Sequence, residues 1–180
     1  TWLVDRAERL GLDPSRVAVG GESAGANLAA VVCLMTRDRD GPAVCHQWLD
    51  VPATDLTCRQ SGYRDVPDGY LLDRAAIDDF VAHYLVRPEQ AVEAYASPLL
   101  ADDHTGLPPA LIMSAGFDKL RGDAEAYGAA RADAGVRARL VRLDGHSHLS
   151  FALTRLRPSG AEYERQAIGV LGRGFADCRR

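Results

Sequence analysis

Apolar residues recur along this chain in two alternating periods. Trp2, Leu3, Ala7 and Leu10 are spaced as on one face of a helix, and Gly11 stands where a helix end favours positive φ. Asp13-Pro14-Ser15 marks a turn before the short apolar run Val17-Ala18-Val19, which Gly20-Gly21 closes. Residues 23 to about 36 are rich in Ala, Leu, Val and Met, which predicts a buried helix. Residues 43–49 predict the next strand, ended by Pro52. The texture then changes. Residues 53–100 are polar and turn-rich, with Ser61-Gly62 and Pro67-Asp68-Gly69, and hold one amphipathic helix over about 73–85. Regular alternation resumes with a strand over 110–115, a helix over 123–134 ending at Gly135, a strand over 137–143 and a last helix over about 160–176.

Strands alternating with helices predict an α/β fold with a mostly parallel sheet flanked by helices. The segment 53–100 reads as an excursion or partial lid within one domain spanning 1–180. Ligands of such sheets sit beyond the carboxyl ends of the strands. The loops at 20–25, 50–58, 116–122 and 144–150 are therefore the places to look for chemistry.

Composition narrows the function. The chain has 180 residues, 47% of them hydrophobic and 26% charged, enough for one domain with a real core. A net charge of −4 argues against nucleic acid or an anionic membrane as the main partner. No apolar run is long enough to span a bilayer. The four cysteines, Cys33, Cys45, Cys58 and Cys178, form no C-x-x-C pair and read as reduced thiols, which points to the cytoplasm.

The first loop reads Gly21-Glu22-Ser23-Ala24-Gly25, a G-x-S-x-G between an apparent strand and an apparent helix. A serine on a turn this tight has its hydroxyl pushed into the open, and small residues two before and two after it avoid a clash. The helix that follows aims its N-terminus at developing negative charge, so the backbone N–H of Ala24 is a natural oxyanion donor. The plain alternative is a glycine-rich turn with Ser23 as a helix cap.

A serine alcohol needs a base, and the base needs an orienting carboxylate. In this motif both follow the serine in the chain. The strand over 110–115 runs into Gly116-Phe117-Asp118, which places Asp118 at a strand end; Asp123 falls instead in the first turn of the next helix, where a carboxylate suits the dipole. The last strand ends in Asp144-Gly145-His146-Ser147-His148. This H-x-H has no evident third zinc ligand, and one imidazole as general base accounts for it better. Spacing alone leaves His146 and His148 open. His46 in a strand, His83 on the amphipathic helix and His104 in a polar loop suit structural or solvated roles.

These stretches together resemble the bacterial hormone-sensitive-lipase-like carboxylesterases of the α/β-hydrolase fold. The likeness is carried by Gly20-Gly21-Glu22-Ser23-Ala24-Gly25-Ala26-Asn27, Ala96-Ser97-Pro98-Leu99, Leu107-Pro108-Pro109-Ala110, Ala115-Gly116-Phe117-Asp118-Lys119-Leu120 and Ala134-Gly135-Val136. It runs in order along nearly the whole chain. The resemblance implies His148 as general base, because the family pattern Gly-x-x-His aligns Gly145 with His148 and makes His146 a neighbour. It implies a serine carboxylester hydrolase acting on short-to-medium acyl esters through an acyl-enzyme, with Ser23, Asp118 and His148 as the triad and no metal or cofactor. This chain departs from the pattern at Glu22, Ala26 and Lys119, and in the two residues between His148 and Phe151. The resemblance also places the family's His-Gly-Gly-Gly oxyanion loop and first strands upstream of the helix at residue 2. It therefore implies the C-terminal part of such an enzyme, with the strand at Val17 as an apolar edge. Rival expectations are a small-molecule-binding protein on the same fold and a catalytically inactive fragment.

Overall fold

The structure, a computed structural model, describes residues 1–153, 155–156 and 158–178. It opens with two helical turns, α1 (Trp2–Asp5) and α2 (Ala7–Leu10), which divide the predicted first helix at Arg6. Gly11 ends α2 at φ 67, the left-handed geometry that a residue without Cβ adopts freely. β1 (Ala18–Glu22) leads into α3 (Ala24–Asp38) and β2 (His46–Asp50). Then come α4 (Ser61–Asp65), α5 (Arg74–Tyr84) and two short 3-10 turns, Pro88–Val92 and Pro98–Leu100. β3 (Ala110–Phe117), α6 (Arg121–Asp133), β4 (Ala138–Ser147) and α7 (Pro158–Asp177) complete the chain.

The strands form one parallel sheet in the order β1-β2-β3-β4, with Gly20 opposite Trp48 and Trp48 opposite Leu111. Strand geometry sends alternate side chains to opposite faces. Ala110 and Ile112 of β3 pack with Leu49 against Ala26, Ala29 and Ala30 of α3 and against Ala124 and Tyr127 of α6. Leu111, Met113 and Ala115 face the other way, onto Tyr163, Ala167 and Val170 of α7. Small alanines on α3 let that helix lie close to the sheet. β3 is buried from Ala110 to Gly116, as expected for an inner strand covered on both faces. β1 and β4 are the outer strands.

β1, β3 and β4 run further than the sequence pattern predicts, and β1 passes through Gly20-Gly21, the pair expected to close it, to reach Glu22. β4 continues through Asp144-Gly145, a pair that reads as a turn, because β3 itself extends to Phe117 and pairs it with Ser147 across an irregularity at Ala115 to Phe117. α6 begins at Arg121, two residues before the predicted start, and α7 begins at Pro158, where a proline suits the first helical position. Among the described residues no helix is long and apolar enough to cross a membrane.

The segment between β2 and β3 packs by its own small cluster. Tyr63, Ile77 and Leu120 are buried together, with Ala53, Cys58, Leu72 and Val81 around them. Leu120 comes from the loop after β3, so this cluster joins the segment to the carboxyl end of the sheet.

Candidate active site

β1 ends at Glu22 and α3 begins at Ala24, so Ser23 alone makes the corner, at φ 56 and ψ −118. A non-glycine residue there is strained and persists only where its surroundings hold it. They do: the Ser23 N–H donates to the Asp50 carbonyl at 2.8 Å, and the Ser23 carbonyl accepts from the N–H groups of Ala26 and Asn27 at 3.1 Å each. Val51, beside it at the end of β2, also has positive φ, at 41. The corner explains the first glycine of the motif, since a Cβ on Gly21 would lie 2.4 Å from the Gly25 carbonyl carbon. The second is different from expectation. A Cβ on Gly25 would meet nothing within 4 Å, so the clash argument holds two residues before Ser23 and not two after. The Ser23 hydroxyl makes no cap bond to the helix.

It points elsewhere. Ser23 Oγ lies 3.1 Å from His148 Nε2, and His148 Nδ1 lies 2.8 Å from Asp118 Oδ2. In the tautomer with its proton on Nδ1, the ring donates to Asp118 and leaves Nε2 to accept from the Ser23 hydroxyl. Asp118 is 1% exposed and follows the last residue of β3; its other oxygen, Oδ1, accepts the Leu120 N–H at 2.9 Å. His148 is 5% exposed and follows the last residue of β4. The structure thus brings Ser23, Asp118 and His148 into one hydrogen-bonded line from three strand ends. Ala24, the fourth predicted site residue, is exposed at the first position of α3, a helix of 15 residues.

The histidine left open by spacing has a different setting. His146 Nε2 bonds Ser159 Oγ at 2.7 Å, and its Nδ1 bonds Ser150 Oγ at 3.0 Å. Ser150 Oγ also accepts the Ser147 N–H at 3.0 Å, and Leu149 takes φ 65. The two residues between His148 and Phe151 therefore form a turn that His146 fastens, and Phe151 still reaches the core, edge-on to Tyr163. His46 is the buried first residue of β2, and exposed His83 bonds the Asp79 carbonyl within its own helix. His104 is buried against Tyr127 and contacts the Pro98 carbonyl at 3.1 Å. Among the described residues no three His, Cys, Asp or Glu side chains are grouped to hold a metal ion.

Three buried polar residues near the site were not singled out by pattern, or were given another role. Asn27 donates from Nδ2 to the carbonyls of Ala53 and Ala96, at 2.7 and 2.8 Å, and so ties α3 to both ends of the 53–100 segment. Asp123 does lie in the first turn of α6, yet it is fully buried. Its Oδ2 accepts the N–H groups of Thr54 and Asp55 at 2.9 Å each, and burial pushes its carboxyl well above the usual range. It fastens a loop, a role beyond the first-turn dipole partner that was expected. Asp50 accepts from Tyr163 and, at 2.8 Å, from Trp48 Nε1; burial pushes its carboxyl up to about 6, against those two hydrogen bonds. Of the three, only Asp50 lies in a loop that the strand ends named; Asn27 and Asp123 fall just beyond such loops, in α3 and α6.

A cavity of about 210 Å³ opens beside Ser23. Its floor includes Asn27 and Leu120, and Leu28 of α3 stands at its rim. Its far wall is α5, where Ile77, Phe80, Val81 and Tyr84 fall at i, i+3, i+4 and i+7, one stripe of a helix. The lining is almost wholly apolar.

The sequence matches an alpha/beta hydrolase fold family over residues 1–152. It is 39% identical over 176 residues to LipN, a carboxylic ester hydrolase of Mycobacterium tuberculosis, covering 94% of this chain and 47% of that one. It is 35% identical over 184 residues to the carboxylesterase NlhH of the same organism, covering 99% and 55%. The chain thus spans about half the length of these relatives. Its fold superposes with a TM-score of 0.91 on a thermostable carboxylesterase cloned from a metagenomic library, at 37% identity, over 97% of this chain and 60% of that one. With the family matched across most of its length, the chain belongs to the alpha/beta hydrolase fold family, among relatives named as carboxylesterases.

Proposed function

We propose that the protein to which this chain belongs is a serine carboxylester hydrolase. The observation that carries the reading is the unbroken line Ser23 Oγ, His148 Nε2, His148 Nδ1, Asp118 Oδ2, with separations of 3.1 and 2.8 Å, at the mouth of an apolar cavity. As an ester carbonyl approaches, Ser23 Oγ attacks its carbon and passes its proton to His148 Nε2. Asp118 holds the ring and stabilises the imidazolium. Negative charge gathers on the carbonyl oxygen, where the Ala24 N–H and the N-terminus of α3 face it. Collapse breaks the ester C–O bond. His148 returns the proton to the departing alcohol, and an acyl-Ser23 ester remains. Water then attacks that ester, giving its proton to His148, and the carboxylic acid leaves with Ser23 restored. No metal or cofactor takes part in these steps.

The cavity supports short-to-medium acyl esters, because about 210 Å³ falls below the roughly 300–1,000 Å³ of pockets for drug-sized ligands. The 53–100 segment, which supplies the α5 wall, serves as a partial lid in this reading. The four unpaired thiols fit a reducing compartment, the cytoplasm. The test is hydrolysis of a nitrophenyl butyrate by the purified chain and by its Ser23→Ala variant. Turnover in the parent that vanishes in the variant is the expected result. Equal background rates in both overturn the reading for this chain.

A further inference from the structure

The residue after Asp118 is a lysine with almost no access to water. Lys119 is 4% exposed, and a buried ammonium is costly unless it is paired and hydrogen-bonded. Both conditions are met from one place. Lys119 Nζ donates to the Val66 carbonyl at 2.7 Å and pairs with Asp68 Oδ1 at 2.9 Å. Asp68 in turn accepts the N–H of Arg74, the first residue of α5, at 3.0 Å, while Asp73 accepts the Gly69 N–H at 2.7 Å. The chain at 66–74 is therefore folded around a single cation delivered by the loop that carries the triad carboxylate. Backbone contact reinforces the join. α4 lies so close to this loop that a Cβ on Gly62 would sit 2.2 Å from the Lys119 carbonyl oxygen.

Besides this clasp, α5 is held by Ile77 and Val81, packed with Tyr63 and Leu120, and by the Arg74 guanidinium over the Tyr63 ring. Ile77 is its only buried residue among those described, and Phe80 and Tyr84 are 66% and 51% exposed although they line the cavity. Its N-terminus is fixed by Asp68 and Asp73, and Asp68 is fixed by Lys119. We propose that Lys119 is a positioning residue that clasps α5 against the Asp118 loop and thereby sets how long an acyl chain the cavity accepts. This selection rests on the esterase reading above; the clasp itself does not. With the clasp intact the α5 wall stands close to Ser23 and favours short chains. With it open, the wall gives way outward and longer chains gain.

The test uses Lys119→Met, which keeps the stem and removes the cation, Asp68→Ala at an exposed position, and the double variant. Amide hydrogen exchange is followed through residues 66–84 and through β3, and kcat/KM is measured for nitrophenyl octanoate and acetate. Either single variant is expected to speed exchange over 66–84 while β3 stays protected. The octanoate-to-acetate ratio of kcat/KM should rise about 2- to 5-fold, the scale of one partly exposed ion pair. The double variant should add little to either single one, since both remove the same contact. A role in overall stability alone would lower both rates together and leave the ratio unmoved. Unchanged exchange over 66–84 in both single variants overturns the clasp, whether or not the chain turns over esters. Faster exchange with an unchanged ratio overturns the selection. Absence of turnover in the parent overturns the esterase reading and the selection with it, while the exchange result still decides the clasp.

Discussion

The central sheet and the 53–100 segment solve the same problem by opposite means. β3 is buried from Ala110 to Gly116 between α3 and α6 on one face and α7 on the other, and its backbone groups are paired along two neighbouring strands. Area removed from water holds it, and no single residue decides its place. The segment has no ladder. Its loops have backbone groups that must still find partners, and they find individual buried side chains. Asn27 takes the carbonyls of Ala53 and Ala96. Asp123 takes the N–H groups of Thr54 and Asp55, Ser97 Oγ serves Leu56 and Ala91, and Lys119 takes Val66. The sheet therefore fixes Ser23, Asp118 and His148 firmly, while the wall of the cavity hangs from a few polar anchors. In the proposed reading chemistry and selectivity are built on different physics, and they should respond to different substitutions.

Four substitutions can break or sharpen that contrast. The largest effect should come from the sheet. Leu111→Ala, at a fully buried position between β3 and α7, should cost about 3–4 kcal/mol and lower the single unfolding transition as a whole, read by denaturant titration. Asp50→Asn tests the seam between sheet and site through pH. The Asp50 carboxyl is raised from an ordinary 3.8 to about 6, so the folded protein holds its proton more tightly than the unfolded chain does. That contribution is fully present below about pH 4 and is lost as pH rises toward 6. Stability should thus fall over this window by about 3 kcal/mol on that account, and the asparagine, which cannot ionise, should flatten the slope. Asp123→Ala leaves the buried N–H groups of Thr54 and Asp55 without their acceptor and should cost about 2 kcal/mol. Its signature is local, with exchange rising first around 53–57 and not in β3. A cost shared evenly with the sheet would contradict the division drawn above. His83→Ala, exposed on α5 and bonded to the Asp79 carbonyl within its own helix, should change stability by less than about 0.5 kcal/mol.

The same contrast marks what could be read from the sequence. Burial by area leaves a periodic trace, so every strand and the main helices were legible from apolar spacing, as was the alternation that makes a parallel sheet. Strand ends then named the loops, and the G-x-S-x-G corner with Asp118 and His148 at later strand ends followed from chain order and the family resemblance. Anchors leave no such trace. Asn27 and Ala96 are 69 residues apart, as are Thr54 and Asp123, and nothing local to either member announces the other. Asp123 was legible as a first-turn carboxylate and not as a buried clamp for that reason. Lys119 was legible only as a departure from a family pattern, because its partner Val66 lies 53 residues away in the chain, with Asp68 close to it, before α5 and β3. The extension of β4 through Asp144-Gly145 was hidden for a related cause: pairing with Phe117 overrides a local turn signal.

In the proposed reading Ser23 is a nucleophile made so by His148 and Asp118. The most direct measurement is intact-mass and peptide mass spectrometry after exposure to a nitrophenyl alkylphosphonate, which leaves a stable phosphonyl ester on an activated serine. One adduct per chain is expected, on Ser23, formed fast in the parent and at a small fraction of that rate in His148→Ala. An unlabelled Ser23, or labelling that proceeds equally well without His148, would contradict it.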